Sequence, residues 1–389
     1  MEYTVIHNKT DKRFEIHLDG KVAFEQYELF DGGIAYTHTE VPEEFAGKGL
    51  AAYIAKYVLD YAQEHQLKVK PYCPYIKAYI DKHPEYQSNS LFHNKNTIMK
   101  TKKIEAVLAP PSPHMVGDGF RVHNFIPYGR GMSMERMSPF IMMDYNSKYY
   151  FPPTNELRGV GVHPHRGFET VTIAYKGKVA HHDSSGNSGV IGEGDVQWMT
   201  AASGILHKEY HEQEFSKAGG DFQMVQLWVN LPAKDKMSKP KYQGILHSEI
   251  AKHPLPNDAG VIEVIAGEYD GTAGTASTFT AVNLLNAKLN KDASARFRFP
   301  AHFNTALLVI EGSIRVNDSE NVAGDNFLLF ANEGEEFSIQ ALEDAVVLIL
   351  SGEPIDEPIV SHGPFVMNTQ EEIIQAFNDV NMGKFGFLE

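Results

Sequence analysis

His163-Pro164-His165-Arg166-Gly167-Phe168-Glu169 and Gly204-Ile205-Leu206-His207-Lys208-Glu209 are the two stretches around which this chain is organised. In the first, two histidines stand at i and i+2; in the second, a histidine and a glutamate do so. Residues two apart on a β-strand project from the same face. Two such strands side by side therefore aim four donor groups at one point. Three imidazoles and one carboxylate, from His163, His165, His207 and Glu209, make a mixed nitrogen and oxygen set that suits a divalent first-row transition metal. Glu169, His181 and His182 compete for a place in it. Strand alternation puts His181 and His182 on opposite faces, and all three are expected to support the site or lie at the surface.

The chain around these pairs reads as β-structure. Short apolar runs at 119–125, 140–143, 170–175, 179–182, 196–200 and 223–229 are bounded by Gly, Asn, Asp and Pro, with almost no helical pattern between them. Many short strands at this spacing indicate an antiparallel sandwich or barrel, whose mouth can gather both pairs. The pattern recurs at 279–289, 295–299, 305–316, 326–331 and 345–350, where His302 is the one histidine. A second His/His/His/Glu set is missing there, so a second barrel is expected to be metal-free and structural or partner-binding. Thr369-Gln370-Glu371-Glu372 has the form of a capping box opening a terminal helix, with Ile373, Ile374 and Phe377 as its apolar face.

Upstream, Phe14 to Asp19, Val22 to Leu29 and Ile34 to Val41 read as antiparallel strands joined by short turns. Phe45-Ala46-Gly47-Lys48-Gly49-Leu50-Ala51 then leads into a helix whose buried face carries Leu50, Tyr53, Ile54, Tyr57, Val58 and Tyr61. A glycine turn at a helix start presents unpaired backbone N–H groups at the positive end of the dipole, which suits a phosphate or pyrophosphate. A strand at Leu67 to Val69 and a further helix carrying Ile76, Tyr79 and Ile80 follow. The polar stretch from Ser88 to Lys103 places a boundary near residues 98 to 103.

The whole chain bounds these readings. At 389 residues it is long enough for two or three domains, and 42% hydrophobic with 22% charged residues is an ordinary globular composition. No apolar run is long enough to span a membrane, and Met1-Glu2-Tyr3-Thr4-Val5 does not open like a signal peptide. Cys73 is the one cysteine, which excludes an intrachain disulfide and a Cys-rich zinc site. A cytoplasmic location is expected. The formal charge of −15 argues against direct nucleic-acid binding.

Two resemblances extend this reading. Residues 1–98 are similar to a compact branch of the GNAT acetyltransferases. That likeness implies an α/β N-acetyltransferase domain holding acetyl-CoA by the backbone of Gly47, Lys48, Gly49, Leu50 and Ala51, although Ala46 departs from the usual Arg or Gln. Candidates for its acid–base chemistry are His38, Glu40, Cys73 and Tyr79. From about residue 104 onward the chain resembles the pirin family, on His163 to Thr172, His182-Asp183-Ser184-Ser185-Gly186-Asn187, Gly194 to Ala201 and Gln226-Leu227-Trp228-Val229-Asn230-Leu231-Pro232. The likeness implies a bicupin of two all-β double-stranded β-helix barrels, a metal-binding one at 104–232 and one at 233–389 without metal, closed by a helix. Its ligands fall on His163, His165, His207 and Glu209, with Fe(II) first and Cu, Ni, Mn or Zn as alternatives. It further implies a quercetin 2,3-dioxygenase-type reaction of an aromatic, catechol-like substrate with O₂, in which Glu209 is both ligand and proton acceptor. The alternative it carries is a redox-sensing module for a regulatory protein partner. The fusion would make the chain bifunctional.

Overall fold

The computed structural model describes residues 3–45, 49–93 and 100–389. The chain forms two compact units, Met1–Ile98 and Met99–Glu389.

In the first unit, β1 (Ile6–Asn8), β2 (Arg13–Leu18), β3 (Lys21–Phe30), β4 (Gly33–Glu40) and β5 (Lys68–Pro71) form one sheet in that order. All neighbours are antiparallel except β4 and β5, which run parallel from Gly33↔Lys68 to Tyr36↔Pro71. Parallel neighbours need a crossover, and α1 (Leu50–Glu64) supplies it, with α2 (Pro74–Lys82) following. Leu50, Ile54, Val58 and Leu59 of α1 pack with Phe14, Ile16, Tyr36 and Ile76 in one apolar core. Of the face expected from periodicity, Leu50, Ile54 and Val58 are buried, Tyr53 and Tyr61 are partly so and Tyr57 is exposed; Ala55, Leu59 and Ala62 complete the buried face.

The second unit begins with β6 (Ile104–Leu108), β7 (His114–Val116), β8 (Phe120–Ile126), α3 (Met134–Met137) and β9 (Phe140–Phe151). Next come β10 (Gly159–His165), β11 (Phe168–Lys176), β12 (Val179–Asp183), β13 (Ser188–Ile191), β14 (Val196–Thr200) and β15 (Ile205–His211). They are followed by α4 (Gln213–Ala218), β16 (Gly220–Asn230) and β17 (Lys241–Ile245). A four-stranded sheet, β10-β15-β12-β13, faces a seven-stranded one, β17-β14-β11-β16-β9-β8-β7.

The rest repeats this plan with β18 (Ala251–Pro254), β19 (Gly260–Ala266), β20 (Glu268–Tyr269), β21 (Thr272–Ala273), β22 (Val282–Leu289), β23 (Ser294–Arg298) and β24 (Asn304–Glu311). β25 (Ser313–Val316), β26 (Glu320–Ala323), β27 (Phe327–Phe330), β28 (Glu336–Ala341) and β29 (Ala345–Gly352) complete the barrel. Its sheets run β18-β19-β22-β29-β24-β27-β6 and β23-β28-β25-β26. Strand pairing crosses residue 232 in both directions: β6 joins the second barrel and β17 the first. The chain closes with a hairpin, β30 (Val360–His362) and β31 (Phe365–Met367), and α5 (Gln370–Asn381), which starts at the capping box expected on Thr369 and Glu372.

Alternation along the seven-stranded sheets separates two environments. Val171, Trp198 and Leu227 of the first barrel and Leu284, Leu308 and Leu350 of the second join one apolar core. The residues between them face the barrel interiors. In the second barrel these are Leu285, Leu307 and Ile349, packed with Phe297, Phe330 and Phe337. In the first they are Thr172, Gln197 and Gln226, all buried. A side-chain-filled apolar barrel has no place for an ion, whereas a polar interior must find partners for its buried groups.

Candidate metal centre

β10 is an edge strand of its sheet, which is where Pro164 can sit without breaking a ladder. It pairs with β15 in the register His163↔His207 and His165↔Ile205, with a bulge between Val160 and His163. The two stretches singled out in the sequence are therefore hydrogen-bonded neighbours. One ring nitrogen from each of His163, His165 and His207 lies within 4.8 Å of the other two. The ring centroids are 4.2 Å apart for His163 and His207, 4.7 Å for His165 and His207, and 4.8 Å for His163 and His165. His163 is half-buried at the opening, and the other two are buried.

Hydrogen bonds assign the free nitrogens. His163 Nδ1 lies 2.8 Å from the carbonyl of Gly161, and His165 Nδ1 lies 3.3 Å from that of Pro364. A carbonyl only accepts, so each Nδ1 carries the proton and each Nε2 keeps its lone pair. Both ring nitrogens of His207 are buried and have no partner. Burial, reinforced by the neighbouring His163, pushes the His165 ring down to about 3. Burial, with His165 and His163 nearby, holds His207 well below the usual imidazole range. Both rings are therefore neutral, the form that ligates a metal.

Glu209 stands two residues beyond His207 and opposite His181 of β12. Its carboxylate forms a second cluster, with His181 and His207, whose ligand atoms also lie within 4.8 Å of one another. The structure thus brings the three predicted histidines together and sets Glu209 against His207, on the side of His181. Two side-chain amides hold Glu209: Gln197 Nε2 donates to Oε1 at 3.4 Å and Gln226 Nε2 to Oε2 at 3.2 Å, while the Thr172 hydroxyl donates to Gln226 Oε1 at 2.7 Å and so fixes that amide.

The three competitors separate. His181 points inward: Gln197 Nε2 donates to its Nδ1 at 3.1 Å, so its Nε2 carries the proton, facing Asp183 Oδ2 at 3.4 Å. His182 points the other way, 2.8 Å from the Tyr210 hydroxyl. Glu169 lies on the barrel–barrel face of β11, where Thr200 Oγ1 donates to it at 2.7 Å and burial raises its carboxyl to about 7. Sequence reasoning did not single out Thr172, Gln197, Gln226, Pro364 or the Tyr242 ring, which stacks on His181. The first three carried a signal: each is a polar residue between two apolar ones, Val171 and Ile173, Val196 and Trp198, or Val225 and Leu227. Trp228 and Phe168, stacked at 4.2 Å, make an aromatic wall beside His165.

In the amino-terminal unit, Gly47 and Lys48 lie outside the described residues. Gly49 caps α1 in the left-handed conformation (φ 77°) with open space where a side chain would begin. Leu50 is core, and Ala51 is half-buried. Cys73 is buried, with its sulfur 3.1 Å from Thr39 Oγ1. Thr39 also donates to Glu25, a buried carboxylate whose other oxygen lacks a partner and which burial raises to about 8. His38 and Glu40 are exposed, and Tyr79 stacks on His83.

Two cupin-type barrels back to back, one with a histidine cluster in a polar interior and one filled with apolar side chains, define a bicupin. The chain belongs to the pirin family. Residues 119–229 match the Pirin profile and 284–386 that of the Pirin C-terminal cupin domain. Residues 13–89 match the profile of the GCN5-related N-acetyl-transferases. A Pseudomonas aeruginosa protein provisionally named as a quercetin 2,3-dioxygenase is 45% identical over 284 residues, covering 73% of this chain and 98% of that protein. The crystal structure of quercetin 2,3-dioxygenase from Acinetobacter baumannii superposes with a TM-score of 0.69 at 46% identity, covering 74% of this chain and all of that one. A pirin from Escherichia coli, YhhW, solved with nickel(II), is 20% identical with a TM-score of 0.50, over 64% of this chain and all of its own, and shares the fold. No helix among the described residues is long and apolar enough to cross a membrane.

Proposed function

We propose that the pirin portion is a metal-dependent dioxygenase of the quercetin 2,3-dioxygenase type, with His163, His165, His207 and Glu209 as ligands. The observation that carries this reading is His207. A fully buried imidazole with both nitrogens unpaired costs free energy unless something absent from the protein atoms takes a lone pair. Three imidazoles beside a buried carboxylate fit a divalent first-row ion. Iron(II) is the first choice, with nickel, copper, manganese or zinc accommodated by the same donors. When bound, the ion supplies Lewis acidity and a meeting point for an ionised catechol-type substrate and O₂.

The residues supply the rest. Glu209 accepts the proton of the substrate hydroxyl, and Gln197 and Gln226, the latter fixed by Thr172, hold its carboxylate while it does so. Trp228 and Phe168 offer an aromatic face to a flat substrate. Oxygen consumption with quercetin by metal-loaded protein tests the assignment. Turnover no higher than that of metal-free His163→Ala protein would remove it.

For the amino-terminal unit we propose acetyl-CoA binding at the start of α1, where Gly49 and the unpaired N–H groups that follow it suit a pyrophosphate. Calorimetry should show binding that Gly49→Glu abolishes. No heat with the unaltered chain would reduce this unit to an accessory fold.

A further inference from the structure

The turns flanking both histidine-bearing strands are tied to the far end of the chain. The carbonyl that orients His165 belongs to Pro364, in the hairpin between β30 and β31. One residue after His165, the Arg166 carbonyl accepts from Val366 N at 3.1 Å. Gly167 is required there: its φ is 92°, and a Cβ would lie 1.9 Å from the Val366 carbonyl oxygen. Before His207, Gly204 plays the same part, since a Cβ would lie 2.5 Å from the Phe385 ring.

Arg166 joins these contacts. Its side chain is buried; Nε donates to the Ser203 carbonyl at 2.7 Å, and a terminal nitrogen donates to Asp379 Oδ2 of α5 at 2.9 Å. Its guanidinium also sits 4.7 Å above the Phe385 ring. A buried ion pair contributes little net stability over well-packed apolar residues. What this pair contributes is geometry, because a planar guanidinium with fixed donors holds α5 in one orientation.

We propose that Arg166 and Asp379 are positioning residues for the metal centre. Their pair pins α5 and the hairpin preceding it against the turn after His165, and so fixes the ring orientation of His165 through the Pro364 carbonyl. The inference rests on His163, His165 and His207 being ligands. Outer partners that orient a ligating histidine carry about 10- to 100-fold in metal affinity.

The test uses the full chain and cobalt(II), whose visible absorption reports ligand geometry. Affinity is read by competition with a chromogenic chelator, alongside the melting temperature. Asp379→Asn breaks the pair, and the double variant Arg166→Met/Asp379→Leu removes both charges without leaving one buried alone. Phe297→Ala, in the core of the second barrel, provides a destabilised protein whose pair is intact. Both pair variants should bind cobalt about 10- to 100-fold more weakly with a shifted spectrum, while Phe297→Ala lowers the melting temperature and leaves affinity and spectrum unchanged. Pair variants with unaltered affinity and spectrum overturn the positioning role, as does an equal loss in Phe297→Ala. Failure of the unaltered chain to bind cobalt overturns both this role and the ligand assignment.

Discussion

Replacing His207 with leucine should reverse the usual sign of a core substitution, and metal should offset that reversal. His207 is fully buried, and no protein atom pairs with either ring nitrogen. Each unsatisfied buried polar group costs about 1–3 kcal/mol. Leucine is close to histidine in volume, and a shape mismatch in a packed site costs on the order of 1 kcal/mol. His207→Leu should therefore stabilise the metal-free protein by about 1–5 kcal/mol, a rise of a few degrees or more in melting temperature for a unit of this size. Metal then works against that gain. At a free concentration near 100 times Kd, an ion that binds only the folded state adds about 2.7 kcal/mol, and the variant lacks this gain. The assay is thermal unfolding of chelator-treated protein, with and without added iron(II) or nickel(II), for both chains. A metal-free His207→Leu protein destabilised by several kcal/mol, or one that gains as much from metal as the unaltered chain, would refute the reasoning.

Acid should destabilise the metal-free form steeply. His165 and His207 are neutral when folded, with His165 at about 3, and both gain protons on unfolding below the ordinary value of 6.5. Their contribution is complete above that value and is lost as pH falls toward 3, at about 1.4 kcal/mol per pH unit for each ring; denaturant midpoints at pH 7 and 4.5 measure it, and His207→Leu should flatten the slope. Glu25 behaves oppositely. Its carboxyl is raised from 4.5 to about 8, so its contribution is present below 4.5 and drains as pH rises to 8, by on the order of 5 kcal/mol at most. The unfolding transition of the amino-terminal unit should shift less between pH 5 and 9 in Glu25→Gln than in the unaltered chain, and equal shifts would show that Glu25 is not held neutral.

The clustering of the three histidines was legible because the candidate residues obey the simplest rule of a strand. His163 with His165, and His207 with Glu209, are i, i+2 pairs, and pairing of β10 with β15 needed only that the two stretches be neighbours. The position of Glu209, turned toward His181, was not legible, because alternation fixes which two faces residues 181 and 182 take but not which is inward. Pro364 and Asp379 lie too far along the chain for any local pattern to connect them with His165. Gly167 and Gly204 nevertheless marked their approach, each removing a Cβ that an incoming backbone or ring would strike. Glu25 was readable in retrospect: it lies between Ala23 and Tyr27 on the buried face of β3. The apolar filling of the second barrel was anticipated only as a lack of histidines, although Leu285, Leu307 and Ile349 occupy the inward positions.

Anomalous diffraction from metal-loaded crystals, collected on both sides of the absorption edge of the added ion, tests the central assignment most directly. One peak about 2.1 Å from a ring nitrogen of each of His163, His165 and His207, with the Glu209 carboxylate turned to meet it, is the predicted result. A fully loaded crystal whose ion lies elsewhere, with the His207 ring still unpartnered, would contradict the account.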